Sequence, residues 1–265
     1  MHILKRLSLI ALAVAALGLV SCAHLGQRPQ GAILSQTSTI KALLEGGYDG
    51  VVTCGELRRQ GDLGIGTFDR LDGELILIDG AIYQARADGT VVRAPDLLKV
   101  PFAAVTRFTP SVSQTGGAVA AVDALKKRLD ELRSGDNLFY AVRVDGVFDY
   151  VKYRSVPPQV KPYPKLAEVA AHQPVFERRA IPGTLVGFWC PQYAATLNVP
   201  GWHLHFISED RKSAGHLLDC SWQGGVIQAE LISEVHLSLP QTPAFQNLQL
   251  GGDSSPVLKA VESGK

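Results

Sequence analysis

Cysteine is scarce in this 265-residue sequence, and its four copies, Cys22, Cys54, Cys190 and Cys220, lie far apart. That spacing excludes a cysteine-based zinc ribbon or finger, whose ligands sit close together in the chain. An excess of charge is missing too. Lys and Arg number 26 against 25 Asp and Glu, so there is no basic footprint of a nucleic-acid partner. No low-complexity block interrupts the chain, and beyond residue 20 no apolar run is long enough to span a bilayer. Gly64-Ile65-Gly66 lacks the further glycine and the helix of a dinucleotide site. It reads as a tight turn before Thr67-Phe68.

What is present begins with an export signal. Lys5-Arg6 is a basic n-region, Leu7 to Val20 an apolar h-region, and Leu19-Val20-Ser21-Cys22 is similar to a bacterial lipobox. Residues 1–22 are expected to be a lipoprotein-type signal peptide, with Cys22 lipidated; ordinary cleavage near Ala23 is the alternative. Either route exports the chain to the periplasm, with any membrane attachment through Cys22. Without Lys5 and Arg6 the net charge of +1 turns slightly negative. Cys54, Cys190 and Cys220 cannot all pair with one another and read as buried apolar thiols.

The 26 glycines and 15 prolines favour many turns and a β-rich chain. Residues 23–35 read as a polar tether, followed by a short helix at Ile40–Leu44 capped by Ser38 or Thr39. Asp79-Gly80, Asp88-Gly89 and Asp145-Gly146 each separate apolar runs, as a type I′ hairpin requires. Val119, Val122, Leu125, Leu129 and Leu132 recur at helical steps, so one long helix is expected over Ala118–Arg133. Pro157-Pro158, Pro162 and Pro164 suggest a soft boundary. The expected fold is α+β, with an N-terminal α/β domain over 36–160 carrying the long helix. A C-terminal β-rich, barrel-like domain over 161–265 follows, so the chain has two sheet-based lobes.

The densest chemistry is Trp202-His203-Leu204-His205-Phe206, followed by His216. In a strand, residues i and i+2 leave the same face, roughly 6.6 Å apart. His203 and His205 then face one point while Trp202, Leu204 and Phe206 fill the other side. Residues 208–213 form a polar turn, and a hairpin placing His205 opposite His216 would bring three imidazoles together. Three neutral imidazoles with an open fourth position suit catalytic zinc or a similar metal. The same residues on a strand face also suit surface or hydrogen-bonded core histidines. Glu74 ends an apolar strand face, either solvated at the rim or half-buried with a raised pKa. Arg154 ends a strand before a proline-rich turn, either solvated or poised to clamp a carboxylate.

Several stretches in order resemble the bacterial α-acetolactate decarboxylase family. They are Gly61-Asp62-Leu63-Gly64-Ile65-Gly66-Thr67-Phe68, running into Leu71-Asp72-Gly73-Glu74-Leu75, then Asn137 to Gly146 with Val151-Lys152-Tyr153-Arg154. Gly201-Trp202-His203-Leu204-His205-Phe206 and Gly215-His216 complete the set. The resemblance spans roughly residues 36 to 262. It implies a zinc-dependent, usually dimeric enzyme converting 2-acetolactate to acetoin and carbon dioxide. It further implies that His203, His205 and His216 hold the metal and that Glu74, Arg154 and Glu262 are catalytic, with Thr67 lining the pocket. Two other classes stay open on the residues. One is a non-catalytic periplasmic metal-binding lipoprotein. The other is a cupin-like metal oxygenase, for which Glu209, four residues after His205, would be the added ligand.

Overall fold

Asp79 and Gly80 both take positive φ, 51° and 70°, which is what a two-residue type I′ turn needs. They join strands Glu74–Ile78 and Ala81–Ala85 in the expected hairpin. A computed structural model describes residues 31–252 and 255–263; the expected signal peptide with Cys22 and residues 23–30 of the expected tether lie outside the described residues. The strands are β1 (Ala32–Thr37), β2 (Val52–Thr53), β3 (Leu63–Thr67), β4 (Glu74–Ile78), β5 (Ala81–Ala85) and β6 (Val91–Arg93). They continue as β7 (Lys99–Val100), β8 (Phe102–Thr106), β9 (Val112–Val119), β10 (Phe139–Arg154), β11 (Val175–Cys190), β12 (Gly201–Ser208) and β13 (Ala214–Ser238). The helices are α1 (Ile40–Leu44), α2 (Cys54–Gln60), α3 (Val122–Asp130), α4 (Leu166–Ala170), α5 (Pro243–Gln246) and α6 (Ser255–Ser263).

Strands dominate, and eleven of them form one mixed sheet in the order β10-β11-β12-β13-β1-β8-β3-β4-β5-β6, with β9 on β13. β10 also pairs with β13, so β10, β11, β12 and β13 form a closed circuit of pairings. β1 is the joint. It runs parallel to the end of β13 on one side and antiparallel to β8 on the other. The expected tether is therefore shorter than residues 23–35, because Ala32 onward pairs with β13 and Ser35 onward pairs with β8 as well. The boundary at 160/161 is likewise no gap in the sheet. β10, from the N-terminal side of it, is hydrogen bonded to β11 and β13, and the residues from Ala32 on form one compact unit. One apolar core takes Ile65, Ile76 and Ala104 from the first half and Val186, Phe188 and Ile207 from the second.

Other sequence expectations shift. The helix is α3, Val122–Asp130, shorter than Ala118–Arg133, because Ala118 and Val119 belong to β9 and Val119 pairs with Trp222. Asp145-Gly146 is no turn. β10 runs straight through it, with a register irregularity just beyond Gly146. Gly146 lies opposite Gly183 on one side and Gly225 on the other, and a Cβ there would meet Trp222 at 2.3 Å. Gly64-Ile65-Gly66 is likewise strand β3, its glycines letting β8 approach closely. A Cβ on Gly66 would stand 2.3 Å from the Phe102 carbonyl. The three described cysteines are free and buried.

α1, α4 and α6 share a further core through Ile40, Leu43, Leu166, Val169, Leu258 and Val261. α1 starts at Thr39, whose hydroxyl accepts from the Ala42 amide, the usual N-cap bond. This helical layer closes one end of the cavity described next.

Candidate active site

β12 supplies the first two histidines. Trp202, Leu204 and Phe206 lie in one core, while Ile207, on the side of His203 and His205, lies in the other. His205 is the register partner of His216 on β13, and His216 is also the partner of Arg154, the last residue of β10. Strand pairing alone thus brings His203, His205, His216 and Arg154 to one spot. β4 adds Glu74, directly opposite Thr67 on β3. α6 adds Glu262. All seven line one small cavity, together with apolar side chains that include Ile40, Leu43 and Phe102.

The three ring centroids stand 5.1, 4.9 and 5.4 Å apart. One donor nitrogen from each ring lies within 4.8 Å of the others. Burial is the first cause that holds these rings neutral, and the Arg154 charge adds to it. His203 is lowered to about 3, and His205 and His216 fall well below their ordinary value. His205 Nδ1–H donates to the Leu75 carbonyl at 3.0 Å. That bond fixes the tautomer and leaves the Nε2 lone pair free, and this buried Nε2 has no partner among the described residues. His203 Nε2 and His216 Nδ1 are 3.1 Å apart. Three neutral, buried imidazoles with an orphaned lone pair fit a tetrahedral-type cation with a position to spare.

The acids sit against this cluster. Glu74 Oε2 is 3.7 Å from His205 Nε2, and Glu262 Oε2 is 3.6 Å from His216 Nε2 and 3.8 Å from His203 Nε2. With the rings neutral, these are close approaches and not ion pairs. Burial pushes the Glu74 carboxyl up to about 7, with Glu262 adding and Arg154 opposing. Burial likewise pushes Glu262 to about 7 against Arg154 and Lys126, although its side chain keeps 19% of its surface exposed. Arg154 is buried. Its Nη1–H donates to Gln173 Oε1, and its Nε has no partner among the described residues. The Thr67 hydroxyl donates to the Gly73 carbonyl at 2.7 Å, which fixes its side chain on the cavity wall.

Sequence reasoning missed Gln173 and the Leu75 carbonyl. The first lies in a loop with no motif, while the second follows once Glu74 is placed on a strand beside the histidines. Glu209, the candidate fourth ligand of an oxygenase, is exposed in the turn between β12 and β13 and does not line the cavity.

Fold and site together define an enzyme cavity with a donor set for one metal ion, two carboxyls able to exchange protons, and a buried guanidinium for an anion. The sequence profile described as alpha-acetolactate decarboxylase matches residues 34–252, and the chain belongs to that family. It is 44% identical over 230 residues to the alpha-acetolactate decarboxylase of Methanosarcina mazei, covering 87% of this chain and 80% of that one. The enzyme of the same name from Methylococcus capsulatus is 40% identical over 228 residues, 86% of this chain and 88% of its own. The crystal structure of alpha-acetolactate decarboxylase from Bacillus subtilis strain 168 superposes with a TM-score of 0.85 at 37% identity. It covers 88% of this chain and all of that one.

Proposed function

We propose that this chain decarboxylates 2-acetolactate to acetoin and carbon dioxide, with zinc held by His203, His205 and His216. The observation that carries the reading is the packing of three neutral imidazoles against two high-pKa carboxyls and a buried guanidinium in one cavity. Bound zinc would supply Lewis acidity at the ketone and hydroxyl oxygens of the substrate, where negative charge grows as carbon dioxide leaves.

The chain's own groups account for the remaining steps. Arg154, fixed by Gln173 and β10, holds the substrate carboxylate with its planar fork. Glu74, near 7, is present in both protonation states at neutral pH. It therefore suits transfer of a proton to the carbon left electron-rich, and its fixed side of the cavity sets the face of delivery. Glu262 faces His203 and His216 from α6, which Leu258 and Val261 anchor in the helical core.

The test is turnover of racemic acetolactate by the purified domain, with and without chelation. Chelator-sensitive acetoin formation restored by zinc is the expected result. A folded, zinc-loaded protein that forms no acetoin overturns the reading. Glu209 lies too far out for a cupin-like oxygenase, and the burial of the histidines disfavours a metal-handling lipoprotein, which needs exchangeable ligands.

The resemblance supports a homodimer, checked by sedimentation. The lipobox-like end supports an exported, periplasmic protein anchored through Cys22, checked by loss of lipid labelling in Cys22→Ser.

A further inference from the structure

A second cavity of about 500 Å³ adjoins the histidine cavity, and the Glu262 side chain lines both. Its walls include Trp189 and Trp202, whose rings meet edge-on at 5.6 Å, and Lys126 of α3 and Lys259 of α6. Asp130 also lines it, but that carboxylate is committed. It accepts from two Arg133 nitrogens and from the Trp202 indole N–H. Lys126 is half-buried and forms no ion pair or hydrogen bond among the described residues. Lys126 lines the same chamber wall as Glu262, the residue that also lines the histidine cavity. The unneutralised charge of this chamber is thus positive, and it sits next to the reacting groups.

We propose that this second cavity is the route by which the anionic substrate reaches the histidine cluster, with Lys126 as the positioning residue that draws its carboxylate in. Glu262 is the side chain standing between the two chambers. The inference rests on the function proposed above. A positive wall in a cleft with apolar sides raises the local concentration of an anion, so the gain belongs in kcat/KM and fades as salt screens it. Transfer of the carboxylate from Lys126 to Arg154 then carries the substrate inward.

Two readouts test this on the zinc-loaded full chain. In the first, Lys126→Glu lowers kcat/KM for acetolactate about tenfold at low ionic strength. In that variant kcat is nearly unchanged, and the deficit shrinks at roughly 0.5 M salt, where charges are screened within a few ångströms. Lys126→Arg keeps wild-type kcat/KM. Lys127→Glu, the same charge change on an exposed neighbour outside both cavities, has a much smaller effect. The second readout needs no turnover. Of the three tryptophans, Trp189 and Trp202 line this chamber and Trp222 is fully buried, so fluorescence quenching reports on the chamber. Lys126→Glu lowers quenching by iodide and leaves quenching by neutral acrylamide as it was; Lys126→Gln gives the same direction should the glutamate variant unfold.

Unchanged iodide quenching and an unchanged salt dependence of kcat/KM overturn the proposal, as does a parallel loss of kcat and kcat/KM, which would place Lys126 in the chemical step. A wild type that quenches as expected but forms no acetoin overturns the substrate assignment together with the function it rests on, and leaves the positive chamber standing as a separate finding.

Discussion

Glu74 and His205 face each other across 3.7 Å, one a carboxyl held near 7 and the other an imidazole held neutral. Replacing Glu74 by Gln keeps size and packing but removes the transferable proton. Glu74→Gln is expected to bind zinc normally and to lose about 100-fold in turnover; steady-state rates beside metal analysis check both halves. His205→Ala removes the nitrogen oriented by the Leu75 carbonyl, so purified protein should carry little or no zinc and form no acetoin. Zinc at one equivalent in His205→Ala would move that residue out of the ligand set. The histidine set was legible because strand alternation and a short polar turn fix three rings on one side. Glu74 and Arg154 were legible as candidates only, since a residue at a strand end is solvated or buried according to which distant strands flank it. Here β3 and β5 enclose Glu74, while β11 and β13 flank Arg154. No local pattern carries that information.

The β11–β12 pairing shows how closely backbone spacing controls the site. Gly187 on β11 faces Leu204, between the two histidines of β12, and a Cβ on it would stand 1.9 Å from the His203 carbonyl. Gly187→Ala must therefore push β12 outward. The expected cost is about 1–3 kcal/mol of stability, with a loss of zinc affinity larger than this modest destabilisation would suggest. Denaturant unfolding and metal titration measure the two effects, and unimpaired zinc affinity would show that the histidines tolerate the shift. Elements with local causes were readable: the Asp79-Gly80 hairpin and the capped α1 needed only neighbouring residues. Asp145-Gly146 was misleading for a nonlocal reason. The same dipeptide that makes a turn also lets a long strand pass under Trp222 between two other glycines. The helical pattern over 118–133 overran for a similar cause, since β13 claims its first turn as strand.

For the molecule as a whole, the buried acids and bases pull stability in opposite directions with pH. Glu74 and Glu262 have folded values near 7, above the ordinary 4.5. Their stabilising contribution is complete below 4.5 and is lost as pH rises through 7. The three histidines are lowered from 6.5, so theirs is complete above 6.5 and is lost as pH falls toward 3. The metal-free protein should therefore show its highest Tm near pH 6.5, by a rough balance of three histidines against two carboxyls. A shallow fall is expected above that pH and a steeper one below 5. Thermal unfolding across pH 4 to 9 measures it, and a Tm that climbs steadily to pH 9 would contradict the buried carboxyls. Zinc that binds only the folded form should raise Tm with its concentration.

The overall class, β-rich with a few helices, was legible from glycine, proline and alternation. The single continuous sheet was not, because its joint is β1, six residues with no mark to tell them from a linker. That joint also orders the protein's assembly in time. Ala32–Thr37 lies beside Ile232–Ser238, so the strand at the start of the sheet must wait for one made some two hundred residues later. Contacts of such long sequence separation form slowly. During synthesis the two halves of the sheet stay unjoined until Ile232–Ser238 has been made, and the histidine cavity, which draws its parts from both, cannot form before then.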